Sequence, residues 1–151
     1  MAKVIEITNP LTGQPQSVIQ SDYTAQQIDD AVQKISASIS EQEFPYVAGI
    51  SNDNTYARSV YWVDPFGVVT FYFQAIKSGT SADITNGEQL AIFPEGVRPI
   101  GNANFSAHIE VTGAMQAALG TVGENGSVSV LNGDGSSAIK VFGFGSFLAS
   151  Q

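Results

Sequence analysis

The sequence predicts a mainly β protein: an N-terminal β arm, a short trimeric coiled-coil helix, and a C-terminal β-sandwich head of jelly-roll or Greek-key type. Three observations predict it. From Pro45 onward, short aromatic and β-branched runs alternate with turn signals such as Asp64-Pro65-Phe66-Gly67 and Asn132-Gly133-Asp134-Gly135. Between Thr24 and Glu41, apolar residues recur at helical spacing. Ahead of that helix lies a segment that alternates like a hairpin and has no core of its own. The expected divisions are 1–22, an attachment arm; 23–43, a trimerisation helix; and 45–151, the head.

In the arm, Lys3 to Thr8 alternates Ile5 and Ile7 with Val4, Glu6 and Thr8, as a short strand does. Asn9-Pro10 and Gly13-Gln14-Pro15 punctuate a turn, and Ser17 to Gln20 suits a return strand. An isolated two-stranded hairpin is marginal in water. The arm is therefore expected to pack on its own head, on a sister chain, or on a larger particle.

In the helix, Ala25, Val32 and Ile39 fall at heptad position a, and Ile28 and Ile35 at d. Gln26, Asp30, Gln33 and Lys34 form the opposite, solvated face. Thr24 can cap the first amides, with Gln27 returning the bond, and Asp29 and Asp30 suit the positive end of the helix dipole. Ile at d disfavours two strands, so the stripe points to a parallel trimer. It covers about two and a half heptads, short of the three or four that define a coiled coil, and a single helix laid on a sheet would show the same stripe.

The head begins where Phe44-Pro45 ends the helix. Strands are expected at Arg58–Val63, Val68–Ile76, Gln89–Phe93, Asn104–Thr112, Met115–Val122, Ser127–Leu131 and Ala138–Leu148. About seven short strands with turns at this spacing argue for a sandwich. The candidate core is Val60, Trp62, Val69, Phe71, Phe73, Ile92, Phe105, Ile109, Val128, Val130, Val141 and Phe147. In the last strand, Gly143 and Gly145 share one face and Phe142 and Phe144 the other. Interior strand glycines mark a bulge or a close backbone approach. That approach is either packing inside one subunit or contact at a three-fold axis, so Gly143 and Gly145 join the stripe residues as candidate trimer-interface positions.

The 151-residue chain carries a net charge of −8 with six Lys and Arg and no cysteine. An acidic chain without a basic cluster is a poor partner for nucleic acid or an anionic membrane. Disulfides, thiol nucleophiles and thiolate metal sites are excluded. Met1 to Ile7 does not read as a Sec signal, and no segment approaches about 18 continuous apolar residues, so no membrane insertion is expected. Synthesis in the cytoplasm, followed by retention there or release by a route such as cell lysis, is the corresponding expectation.

Catalytic signals are weak. His108 is the only histidine and lies on the strand phase opposite the apolar residues. No Gly-x-Ser-x-Gly and no phosphate loop is present. Asn52-Asp53-Asn54 and Asn132 to Ser136 are ordinary turn sequences, too short for an EF-hand. Paired carboxylates for sugar hydrolysis, about 5 to 9 Å apart, are not visible from spacing. No catalytic residue, cofactor or metal is assigned. Binding is favoured: Tyr46, Tyr56, Tyr61, Trp62 and Tyr72 cluster near the start of the head, and aromatic faces beside amides suit sugar rings. The candidate receptor contacts are Asn52, Asp53, Asn54 and Tyr56 in one polar loop and Asp83 and Asn86 in the Lys77–Gly87 loop.

VIEITNPLTGQPQSV followed by YTAQQIDDAV resembles the N-terminal segment of small tail-fibre and head-fibre proteins of bacteriophages and prophages of Gram-positive bacteria. FPEGVRP, NFSAHIEVTG, NGSVSVLNG and the final VFGFGSFLA are similar to the head of phage fibre and receptor-binding proteins. The resemblance implies a homotrimeric virion component, not an enzyme, made in the host and released by lysis. It would be anchored to a tail, baseplate or capsid protein through residues 1–22 and present its head to a host-surface saccharide. The chain departs from the family in having no long shaft. A capsid-decorating head fibre without a receptor role, and a monomeric carbohydrate-binding or carbohydrate-active module, are the alternatives.

Overall fold

The structure, a computed structural model, describes residues 3–8, 15–20, 27, 29–30, 32–33, 39–55, 58–79 and 83–150. The chain divides into two units, Met1–Ser38 and Ile39–Gln151. In the first, strands β1 (Lys3–Thr8) and β2 (Pro15–Gln20) pair antiparallel, with Lys3 opposite Gln20 and Thr8 opposite Pro15. Pro15 is tolerated because it opens its strand.

No coiled coil is seen, which corrects the expected trimerisation helix. Gln27, Asp29, Asp30, Val32 and Gln33 have helical backbone, but no continuous helix is defined among the described residues. Ile39, the last residue of the stripe, lies outside any helix and is 52% exposed. Ser36, Ser38 and Ser40 surround it, and serine hydroxyls compete with helical backbone bonding. Ala25, Ile28 and Ile35 lie outside the described residues.

The second unit is all-β. Its strands are β3 (Gln42–Glu43), β4 (Ile50–Asn52), β5 (Val60–Val63), β6 (Val68–Lys77), β7 (Gln89–Ile92), β8 (Ala103–Val111), β9 (Ala114–Val122), β10 (Ser127–Leu131) and β11 (Lys140–Leu148). They form one sheet in the order β3-β5-β6-β11-β8-β9-β10-β7, and β4 also pairs with β6. The expected two-sheet sandwich is therefore corrected to one curled sheet. Segment 42–47 joins its ends. Gln42 and Glu43 pair with Tyr61 and Val60 of β5. Just beyond, the Val47 amide donates to Leu90 O at 3.1 Å, and the Ile92 amide donates to Pro45 O at 3.1 Å.

Three cross-strand pairs explain the curl. Gly143 lies opposite Phe73 and Gly145 opposite Phe71 across β11–β6, while Gly120 lies opposite Phe105 across β8–β9. Each phenylalanine turns inward over the space beside its glycine. A Cβ built on Gly120 would sit 2.1 Å from the Phe105 ring, and one on Gly143 would sit 2.4 Å from the Phe73 ring. Glycines at such positions let a sheet bend while an aromatic partner restores the lost apolar contact. Gly143 and Gly145 thus pack inside the barrel. The space beside them is filled by rings of the same chain, Phe73 and Phe105 at Gly143 and Phe105 and Phe71 at Gly145.

The core is aromatic. Phe44 stacks on Phe73 with centroids 4.7 Å apart, Phe71 meets Phe105 edge-on at 5.0 Å, and Phe93 meets Tyr61 and Phe147 at 5.3 Å. Each fully buried ring contributes about 1.5–3 kcal/mol. Val69, Phe71, Phe73, Phe105, Ile109, Val128, Val130, Val141 and Phe147 are buried as the alternation predicts. Trp62 and Val60 are only half-buried, and Tyr61 takes the inward position opposite Phe71. Ile92 is exposed and Leu90 and Phe93 are buried instead, beside a register shift between Val128 and Ser129 on the neighbouring strand.

Candidate binding site

β4 and β5 lie end to end along one edge of β6. Ile50–Asn52 pairs with Ala75–Lys77, and Val60–Val63 pairs with Val69–Tyr72. The described residues between them, 53–55 and 58–59, lie outside the ladder. Asn54 turns the chain with a φ of 56°, a left-handed conformation that asparagine tolerates better than most residues. The excursion folds across β6: Asp53 reaches Lys140 on β11, the strand beyond, with Nζ to Oδ2 at 2.9 Å. Gln74, on the β6 segment between them, is buried although it points away from the core.

A hydrogen-bonded chain anchors the excursion. The Tyr46 hydroxyl donates to Gln74 O at 2.6 Å and lies 2.7 Å from Ser59 Oγ. Ser59 Oγ accepts the Gln74 amide at 2.9 Å and donates to Asn52 Oδ1 at 2.8 Å. Asn52 Nδ2 then donates to Asn54 Oδ1 at 2.7 Å. Burial pushes the Tyr46 phenol well above its usual range, more than its hydrogen bonds lower it, so it stays a neutral donor. Burial also raises the Asp53 carboxyl, but the Lys140 ammonium and a hydrogen bond from Thr55 together outweigh this and the group lies below its ordinary value.

Tyr46, Asn52, Asn54 and Ser59 border a cavity of about 310 Å³, at the lower end of the size of small-molecule pockets. Phe44 and Val60 provide its apolar surface; Gln42, Asn52 and Asn54 provide amides; Tyr46 and Ser59 provide hydroxyls. Glu41, Glu43 and Arg58 complete the lining, with Arg58 ion-paired to Glu41. Phe44 is buried and stacked on Phe73, so the cavity presents mainly amides, hydroxyls, carboxylates and a guanidinium, groups suited to the hydroxyls of a polyhydroxylated ligand.

Of the predicted receptor contacts, Asn52 and Asn54 line this cavity, and Asp53 is held behind it by Lys140. Tyr56 lies outside the described residues. Asp83 and Asn86 do not line the cavity. The backbone oxygen of Asp83 accepts from Lys77 Nζ, and Asn86 is engaged by Asn132, whose amide donates to Asn86 Oδ1 at 2.7 Å. His108 is exposed on the outer face of β8, away from the cavity. Among the described residues, no three His, Asp or Glu side chains gather as a metal centre. Glu41, Gln42, Glu43, Arg58 and Ser59 were not foreseen. Those at 41–43 read as the end of a helix, and only Phe44-Pro45 signalled the change to strand.

The sequence matches no family model and no curated protein. Among solved structures, the head is similar to the head domain of phage bIL170, described in connection with a common fold for the receptor-binding domains of lactococcal phages. The superposition has a TM-score of 0.53 at 13% identity and covers 75% of this chain and all of the other. The fold therefore resembles that of a phage receptor-binding head domain.

Proposed function

We propose that this chain is a phage virion protein that attaches the particle to its host, and that its head binds a saccharide of the host surface in the cavity between segment 41–46 and the 53–59 excursion. The observation that carries this reading is that cavity, lined by amides, hydroxyls, carboxylates and a guanidinium, on a fold that resembles a phage receptor-binding head. The protein works by binding and not by catalysis. It acts as a homotrimer, with residues 1–22 facing a tail, baseplate or capsid protein.

The test uses the full chain. Binding to cell walls and purified wall polysaccharides of lactococcal and other Gram-positive strains is measured by calorimetry and sedimentation. The protein is expected to bind at least one wall polysaccharide, and Asn54→Ala and Arg58→Ala are expected to weaken binding tenfold or more, about 1.4 kcal/mol; Arg58→Ala, at an exposed position, should leave the unfolding midpoint unchanged, while Asn54→Ala should lower it slightly because alanine is strained at a φ of 56°. Binding left intact by both variants, or no binding to any wall fraction, overturns the proposal.

A further inference from the structure

The hydrogen-bonded chain beside the cavity has a direction, and the direction decides what Asn54 offers a ligand. A backbone N–H only donates and a carbonyl oxygen only accepts, so the chain can be followed outward from Gln74. The Gln74 amide donates to Ser59 Oγ at 2.9 Å. The Tyr46 hydroxyl shares its one hydrogen between Gln74 O, at 2.6 Å, and Ser59 Oγ, at 2.7 Å. Burial keeps that phenol protonated at neutral pH. A serine hydroxyl accepts two hydrogen bonds and donates one. Ser59 accepts from Gln74 and Tyr46, so its own hydrogen goes to Asn52, 2.8 Å away, and the Asn52 atom there is the oxygen. Ser59 is buried, so bulk water does not compete for these positions. With its oxygen so held, Asn52 turns Nδ2 toward Asn54, and the Asn54 atom 2.7 Å away is again the oxygen. The NH2 group of Asn54 is left for the cavity.

We propose that this relay makes Asn54 a donor-only contact, that Tyr46 is the residue that sets it, and that the ligand presents an acceptor oxygen to the 53–59 side of the cavity. Asn54 is exposed and lines the cavity, and among the described residues nothing accepts from its Nδ2. Arg58 lines the cavity from the same segment, and a guanidinium has donors and no acceptor. The facing segment supplies Glu41 and Glu43, whose carboxylates only accept. The cavity is therefore polarised, with N–H groups on one side and carboxylates on the other. A saccharide fits when an oxygen lone pair meets Asn54 and Arg58 and hydroxyl hydrogens meet the carboxylates. Turned the other way, it would set hydrogens against hydrogens and leave polar groups unpaired, which costs more than an absent contact.

Tyr46 acts here through Ser59 and Asn52, as a positioning residue. Without its hydroxyl, one acceptor position of Ser59 opens. The Asn52 amide can then turn its NH2 toward Ser59 and its oxygen toward Asn54, and Asn54 turns in step to show oxygen to the cavity. The inference rests on the reading of this cavity as the saccharide site, but the direction of the relay is a property of the protein alone.

The test joins side-chain amide exchange, read by NMR on the isotope-labelled full chain, with binding by calorimetry to purified wall polysaccharides of lactococcal and other Gram-positive strains. The Asn54 NH2 signals, identified by their loss in Asn54→Asp, are expected to exchange with water as fast as a free amide. Those of Asn52, identified by their loss in Asn52→Asp, are expected to exchange more slowly. Asn54→Asp keeps an oxygen for Asn52 Nδ2 and tolerates the left-handed backbone, so it is expected to fold as the wild type does while binding about tenfold or more weakly. Tyr46→Phe is expected to weaken binding several-fold and to slow exchange of the Asn54 NH2, a change that loss of packing alone would not produce. Slow exchange at Asn54 in the wild type overturns the direction of the relay. Wild-type affinity in Asn54→Asp overturns the donor contact, and unaltered Asn54 exchange in Tyr46→Phe overturns the assignment to Tyr46. A wild type that binds no wall polysaccharide overturns the saccharide reading alone, because the exchange rates decide the relay without a ligand.

Discussion

Replacing Gly143 by alanine tests the account of the curl directly, because the sign of the effect depends on which way the residue faces. A strand glycine with room beside it gains about 0.4–1 kcal/mol on substitution by alanine, through the lost freedom of the unfolded chain. Gly143 has no such room. The added Cβ would lie 2.4 and 2.6 Å from two atoms of the Phe73 ring and 2.7 Å from the Phe105 ring. Ordinary carbon contacts are about 3.5–4.0 Å, so the overlap is roughly 1 Å on two rings at once. Neither ring can easily retreat: Phe73 is fully buried and stacked on Phe44. Overpacking of this kind costs about 1–3 kcal/mol. For a domain of this size, about 2 kcal/mol corresponds to a fall of roughly 8 °C in the melting midpoint. Urea and thermal unfolding of the full chain measure it. Gly101→Ala, at a position with open space and ordinary φ, is the control and is expected to be neutral or slightly stabilising. Shrinking the ring with Phe73→Leu should recover about 1 kcal/mol of the Gly143→Ala penalty, read as coupling in a double-mutant cycle. A Gly143→Ala protein as stable as the wild type would refute the inward packing of this glycine.

Two further outcomes follow from the polar clamps. Asp53 is held below its ordinary pKa of 3.8 in the folded state, so its contribution to stability is present above that value and is lost as pH falls through the lower, folded value. Glu88 is lowered as well, chiefly by Lys77, and acts with the same sign. The wild-type midpoint should therefore drop below about pH 4, and Lys140→Met should flatten that drop while costing about 1 kcal/mol at neutral pH. Equal acid slopes in the two proteins would contradict the Asp53 linkage. At the other clamp, Asn86→Ala leaves the amide of the buried residue Asn132 without its acceptor and should cost about 1–3 kcal/mol. Asn86→Asp keeps an oxygen there and should cost less; a reversed order in urea unfolding would count against the clamp.

Alternation made the long strands legible. Phe71 and Phe73 in β6, and Phe105, Ala107 and Ile109 in β8, are separated by residues that face outward, and their burial follows from that pattern. The short strand Val60-Tyr61-Trp62-Val63 is apolar at every position, so its phase was open. It is decided by the partner: Tyr61 lies opposite the inward Phe71, while Trp62 lies opposite Thr70. The helical stripe failed for a related reason. Spacing continued through Ile39, but Ile39 and Ser40 lie outside any helix and a strand begins at Gln42.

The candidate site was legible only where its residues are polar and local. Asn52, Asp53 and Asn54 announced a loop, but the facing wall comes from residues 41–46, and nothing in the sequence brings those two segments together. What does so is the pairing of Gln42 and Glu43 with Tyr61 and Val60 of β5, continued by the Phe44 amide donating to Ser59 O at 3.1 Å and by the Tyr46 hydroxyl reaching Ser59 and Gln74. The curl depends on Gly120, Gly143 and Gly145 each finding a phenylalanine across a strand boundary. The glycines were visible in the sequence, but their partners were not, and without the partners a bend could not be told from an interface. The same registers that turn Gly143 and Gly145 inward turn Phe142 and Phe144 outward. Closing the barrel around one set of rings therefore leaves Phe144 exposed and Phe142 half-buried on the outer face.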